Sequence, residues 1–381
     1  MPSGGEPVTL RIVQWTTGVV GKPAVRAIVN HPDLELVGCY CYSADKAGRD
    51  VGELCGLPPL GIRATQDIDA LLALEPDCVC YMPLFPDVDH MVRILESGCN
   101  IVSTAYFITG SMLGAENLAR IEAAAARGNA SIYGSGVNPG IIHIIALVAS
   151  SGCARIDKIS VLDSVDATAY ASAGTWEGIG FGRRVEDPEA PALAERAMPS
   201  FKEAVAMMAS ALRIPVEEIR YDVEYAAATE DVDLGYMRIG KGCISGLRCC
   251  WSARVNGRAV IELKIAWKLG DKLAPNWPVE DGWVVEIDGD PSLRCVYQPR
   301  HMGQFDPGLM TAMPAVHAIA AVCAAPAGIV TADQLPLIIG AVFRHYADQG
   351  ATKIFPVVKK LAGLSTLLTI LWCLVVAGFG F

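Results

Sequence analysis

Residues 9–21 read T-L-R-I-V-Q-W-T-T-G-V-V-G, and the placing of the glycines sets the chemistry open to them. Leu10, Ile12, Val13 and Trp15 make the apolar run of a strand covered on both faces. Gly18 and Gly21 follow directly, where a tight turn needs free torsions and a pyrophosphate must approach the main chain closely. Residues 23–29 then continue as a helix that tolerates Pro23 in its first turn, with its free N–H groups and positive end facing the phosphates. Thr16, Thr17, Gly18, Val19, Val20 and Gly21 are thus the expected cradle for a dinucleotide pyrophosphate. The full spacing G-x-G-x-x-G calls for glycine at 16, where this chain has Thr16.

Strands and helices alternate through the first 140 residues. Apolar runs at 34–42, 77–82, 100–104 and 131–134 are separated by helical stretches at 67–74, 88–96 and 116–127. That order predicts a parallel, doubly wound sheet. Past Asn138-Pro139-Gly140 the pattern changes to alternating stretches at 156–162, 221–228, 242–255, 259–269 and 283–287, with one long helix at 201–212 among them. Turns such as Val255-Asn256-Gly257-Arg258 read as hairpins. The expected fold is an α/β Rossmann-type parallel sheet domain plus an α+β domain with a largely antiparallel sheet. Its boundaries are 8–140, completed by 305–345, then 141–304. A hydrophobic tail at 346–381 ends in the uncharged stretch 361–381, long enough to cross a hydrocarbon core and preceded by Lys359-Lys360. A membrane anchor is expected there, with a helix buried in a dimer interface as the alternative.

Composition narrows the classes. Charged residues are 19% and hydrophobic ones 52% of 381, which excludes a disordered chain. A net charge of −10 with no Lys/Arg cluster excludes nucleic acid as a partner. The thirteen cysteines include no C-x-x-C and no zinc spacing, and read as small buried hydrophobes of a reducing compartment. No basic segment followed by an apolar run opens the chain, so a cytoplasmic start is expected.

The end of the second strand decides which dinucleotide fits. A carboxylate there would hold the ribose hydroxyl of NAD and repel the extra phosphate of NADP. The stretch 42–49 has none at the strand end itself, and it offers Ser43, Lys46 and Arg49 as donors around Asp45. NADP is the expected cofactor, with NAD as the alternative.

V-Q-W-T-T-G-V-V-G, the E-L-V-G-x-x-x-Y-S-x-D-K-x-G-x-D run at 35–50 and G-S-G-V-N-P-G at 134–140 carry a resemblance. So do T-W-E-G-I-G-F-G at 175–182 and V-C-A-A-P-A-G-I-V at 322–330. Together, over roughly residues 8–345, the chain resembles the 2,4-diaminopentanoate dehydrogenase and native amine dehydrogenase family. That family's nucleotide domain is similar to the dihydrodipicolinate reductase N-terminal domain. The resemblance implies hydride exchange between a nicotinamide cofactor and a carbonyl, imine or amine in a cleft between two domains. It places Asn138 and Pro139 near the nicotinamide, and Met82 and Pro83 on the cofactor's other side.

One departure bears on the chemistry. Family members active on amines carry a Glu-Glu pair where this chain has Ala105-Tyr106-Phe107. Tyr106, with an ordinary pKa near 10, is a neutral proton donor and a poor base, so carbonyl or imine reduction becomes the leading reading. The other candidates for the donor are Asp166, Tyr170 and His143. His143 lies in an apolar helix at 141–148, where a lone histidine is more often a satisfied core group than a catalyst, while Asp163 and Asp166, in a strand leaving the sheet, read equally as loop caps. An amine dehydrogenase using Asp166 or Glu177 as its carboxylate is the alternative enzyme. A nucleotide-binding sensor held at a membrane by its tail is the alternative outside enzymes. A homodimer through the antiparallel sheet is expected.

Overall fold

The structure is a computed structural model that describes residues 9–301 and 306–340. The first layer is built from β1 (Leu10–Trp15), α1 (Gly21–Asn30), β2 (Leu34–Tyr40), short helices α2 (Val51–Leu54) and α3 (Ile68–Leu72), and β3 (Cys78–Tyr81). It continues through α4 (Val88–Glu96), β4 (Asn100–Ser103), α5 (Ala115–Gly128) and β5 (Ser131–Gly134). Next come α6 (Ile142–Ser150), β6 (Arg155–Asp166), α7 (Ala173–Gly178), α8 (Ala190–Ala197), α9 (Pro199–Ala211) and β7 (Glu218–Ala228). A small ribbon, β8 (Val232–Asp233) and β9 (Arg238–Ile239), precedes β10 (Ile244–Val255), β11 (Arg258–Lys268), β12 (Leu273–Ala274), β13 (Gly282–Asp290) and β14 (Leu293–Tyr297). α10 (Pro307–Cys323) and β15 (Gly328–Val330) close the described chain.

Six strands form a parallel sheet in the order β15-β5-β4-β3-β1-β2. Every residue of β3 and β5 is buried, as expected of strands covered on both faces. Ala24, Val25 and Ile28 of α1 pack with Ala315, Val316 and Ile319 of α10 on one side. Met91, Ile94 and Leu95 of α4 pack with Ile121, Ala124 and Ala125 of α5 on the other. Chain order reverses between β1 and β3, and such a switch point opens a crevice at the strands' carboxyl ends.

The second sheet has seven strands in the order β12-β7-β10-β11-β6-β13-β14. All neighbours are antiparallel except β11 and β6, which run parallel. The β10–β11 turn places Asn256 at φ 49° and Gly257 at φ 72°, the torsions its Asn-Gly sequence is suited to. Phe201, Val205 and Met208 of α9 pack against this sheet together with Ile142 and Ala146 of α6.

Two expectations need correcting. α9 is not alone among the strands: α7 and α8 precede it, burying Trp176, Ala190 and Ala194. They are six and eight residues long, too short to show helical periodicity, and Gly174, Gly178 and Pro191 imitate breakers. Asp163 and Asp166 stand in β6, which stays paired with β11 through Asp166. No helix among the described residues is long and apolar enough to cross a membrane, and the stretch 361–381 lies outside them.

Candidate functional site

A cleft of about 830 Å³ opens where the carboxyl ends of β1 to β5 face the second sheet. One half is lined by Thr16, Thr17, Gly18, Val19 and Val20, by Ser43 and Lys46, and by Met82 and Pro83. The other half is lined by Tyr106, Asn138, Pro139, Asp163, Asp166 and Tyr170, with Trp176, Phe201, Trp267 and Trp283 as aromatic walls.

Thr16 takes φ 76°, the left-handed torsion that glycine would supply at no cost and that a β-branched residue adopts under strain. Two bonds hold it there: its Oγ1 donates to the Met82 carbonyl at 3.1 Å, and Gln14 Nε2 donates to the Thr16 carbonyl at 3.0 Å. The glycine missing from the sequence spacing is therefore replaced in conformation. A Cβ on Gly18 would meet nothing within 4 Å, whereas one on Gly21 would run into the Thr16 carbonyl oxygen. α1 begins with no side-chain cap and no acidic residue in its first turn, so its first N–H groups carry no side-chain partner. Thr17 Oγ1, buried in the same wall, has no partner among the described residues. An uncapped helix start, an orphaned hydroxyl and a glycine open to the cleft together fit a bound pyrophosphate.

At the ribose end, Lys46 Nζ donates to the Thr17 carbonyl at 3.4 Å, across the mouth of the turn. The Ser43 hydroxyl is engaged with the Asp45 carboxylate, and that bond holds Asp45 below the usual carboxylate range. Arg49 is exposed and does not line the cleft.

In the second half, Tyr106 sits at φ 23° and stacks on Phe85 with 5.7 Å between ring centroids. Burial, with Tyr170 nearby, pushes its hydroxyl above the usual range, so it stays protonated. Asp166 lines the cleft, but its Oδ1 accepts Thr168 N at 3.0 Å, Thr168 Oγ1 at 2.6 Å and Gly270 N at 3.3 Å, the bonding of a turn cap. Glu177 is exposed on α7 and is not part of the lining.

His143 is a correction. It does not line the cleft: its ring is buried in α6, where Nδ1 accepts the Gly140 N–H at 3.1 Å. Burial lowers it to about 4, so the imidazole is neutral and holds the Asn138-Pro139-Gly140 turn in place.

Asp163 carries more than its reading as a loop cap allowed. It is 3% exposed, and accepts Asn138 Nδ2 at 2.7 Å and Trp267 Nε1 at 2.9 Å. The signal was present in the register: Ile159, Val161, Asp163 and Val165 alternate onto one face of β6, and the one acid stands in the apolar file. Glu203, unremarked in the sequence, is buried on α9 and binds the loop that carries Tyr106.

Comparison with known proteins bears on the family and the fold. Residues 141–349 match the model of the 2,4-diaminopentanoate dehydrogenase C-terminal domain. An amine dehydrogenase of Streptomyces virginiae is 29% identical over 315 residues, covering 77% of this chain and 86% of that one. A 4-hydroxy-tetrahydrodipicolinate reductase of Synechococcus elongatus is 40% identical over 82 residues, 18% of this chain and 30% of the other. The solved amine dehydrogenase of Mycobacterium smegmatis superposes with a TM-score of 0.73 at 21% identity, over 87% of this chain and 97% of that chain.

Proposed function

Because the chain belongs to the family defined by the 2,4-diaminopentanoate dehydrogenase C-terminal domain, and is thereby an NAD(P)-dependent oxidoreductase, we propose that its cleft exchanges a hydride between NADP and a carbonyl, imine or amine that bears no carboxylate. The observation that carries the substrate class is the charge of the lining. Lys46, at the cofactor end, is its one cationic side chain among the described residues, whereas the other half holds Asp163, Asp166 and Asp281. A keto acid or amino acid would leave its carboxylate there without a partner, at a cost of several kcal/mol.

The cofactor, when bound, supplies the hydride. Residues 16–21 would hold its pyrophosphate, and Asn138, Pro139, Met82 and Pro83 would flank its reactive end. Tyr106 stands protonated beside the substrate and donates to oxygen as charge develops on it. Phe85, Trp176 and Phe201 give that half of the cleft aromatic walls beside its acids. The test is fluorescence titration with NADPH and NADH, followed by a panel of apolar ketones with and without ammonia. Oxidation of the cofactor is expected, and tight binding without oxidation of either cofactor by any ketone supports the sensor instead.

Selectivity for NADPH is assigned to Lys46. Lys46→Ala should weaken NADPH by about tenfold more than NADH, the worth of one charge-assisted contact to a phosphate. The Asp45 carboxylate opposes that preference and sets its limit. Equal losses for the two cofactors in a paired titration would refute the assignment.

A further inference from the structure

We propose that Asp163 and the side-chain carbonyl of Asn138 form a subsite for nitrogen, which takes up a primary ammonium or an iminium group with an apolar substituent. This rests on the cleft being the reaction chamber, and it assigns the chamber a polar end.

Asp163 occupies a core-facing position of β6, where an acid is costly unless its charge is met. Its partners are neutral donors: the Asn138 amide, the Trp267 indole and, on a third side, Trp283. No lysine, arginine or histidine pairs with it among the described residues. Hydrogen bonds from neutral groups orient a carboxylate but leave its charge uncompensated, and burial accordingly pushes its pKa up. A cation is what this corner lacks.

The second observation comes from Asn138 and is independent of charge. Its NH₂ group donates to Asp163, so the amide's orientation is set and Oδ1 is turned the other way. That oxygen is buried in the cleft wall and has no partner among the described residues. A carboxylate and an orphaned carbonyl on adjoining side chains are two acceptors in search of N–H donors. An ammonium has three such donors and an iminium two, and both bring the missing positive charge. An alcohol or ketone offers one donor or none.

The walls determine the rest of the ligand. Phe201, Trp267 and Tyr170 line the same half, so the carbon attached to the nitrogen meets aromatic surface. Asn138 follows β5 of the first sheet and Asp163 lies in β6 of the second, so the nitrogen is held where the two sheets meet. No bond is made or broken at Asp163: it is a binding group that favours the positively charged nitrogen.

The test needs no turnover. The full-length protein is titrated with cyclohexylamine and with cyclohexanol at pH 7, both read by quenching of tryptophan fluorescence. The wild type should bind the amine at least tenfold more tightly than the alcohol, the lower end for one buried charge-assisted contact. Asp163→Asn should bring that ratio to near one. Equal affinities in the wild type overturn the proposal whether or not the variant folds, and so does an unchanged ratio in a folded variant. NADPH titration of the same samples separates the two readings. Cofactor binding without amine preference removes the subsite alone, whereas no cofactor binding removes the reading of the cleft and this inference with it.

Discussion

Replacing Glu203 with alanine should cost the protein about 4 kcal/mol and lower its melting temperature by about 10 °C. The residue is 2% exposed on α9. Its Oε2 accepts the backbone N–H groups of Ile108 at 2.8 Å, Thr109 at 2.9 Å and Gly110 at 3.2 Å. Its Oε1 accepts Met112 N at 2.7 Å and Ser111 Oγ at 3.4 Å. The loop after β4 has no strand or helix partner for these groups, so one carboxylate stands in for a ladder. Ile108 and Gly110 are buried, and their N–H groups would be left without an acceptor in the alanine variant, at about 1–3 kcal/mol each before water enters. Glu203→Gln should fall between, because an amide nitrogen would face either the Met112 N–H or the three donors on the other side.

The same variant should lose turnover beyond its loss of stability. Tyr106 is two residues before Ile108 and is held at φ 23°, a torsion that persists only while its surroundings enforce it. Freeing the loop releases that tyrosine while leaving residues 16–21 untouched, so kcat should fall with little change in the Kd of NADPH. Thermal unfolding and a cofactor titration on one sample check both parts. A melting point within 2 °C of wild type would show that the loop has other support.

How far the molecule was legible in its sequence depended on the range of the interactions. β1, its turn and α1 are local, and apolar runs and glycines announced them within about 30 residues. The second sheet announced its strands by alternation, but the parallel pairing of β11 with β6 joins residues about a hundred apart and leaves no local trace. Thr16 was read as a defect in the glycine spacing. Its φ of 76° depends on Met82, which β3 delivers from far along the chain. Glu203 was invisible for a similar reason, since its donors lie more than ninety residues away. His143 and Asp163 differ in where long-range packing puts them. A histidine draws attention in any apolar helix, yet this one is turned onto its own turn. The acid, in a strand whose end was misjudged, stands in the file of buried residues facing the cleft.

The glycine turn yields the second large effect, and two substitutions three residues apart should separate its two jobs. Gly18 has open space where a Cβ would go, and its φ is not among the positive ones. Gly18→Ala should therefore fold as well as wild type, within about 1 kcal/mol, while its methyl stands in the approach to the pyrophosphate. Cofactor affinity should drop by about a hundredfold, near 3 kcal/mol. Gly21 is different, because its Cβ would collide with the Thr16 carbonyl oxygen and sit 3.1 Å from Gln14 Nε2. Neither neighbour can give way, since Gln14 Nε2 bonds that same carbonyl and Thr16 Oγ1 holds Met82. Gly21→Ala should thus lose about 2–3 kcal/mol of stability by overpacking and bind no cofactor. Melting curves and NADPH titrations of the pair give the distinction directly. A Gly18→Ala protein that binds NADPH as the wild type does would take the pyrophosphate away from this turn, whatever Gly21→Ala does to the fold.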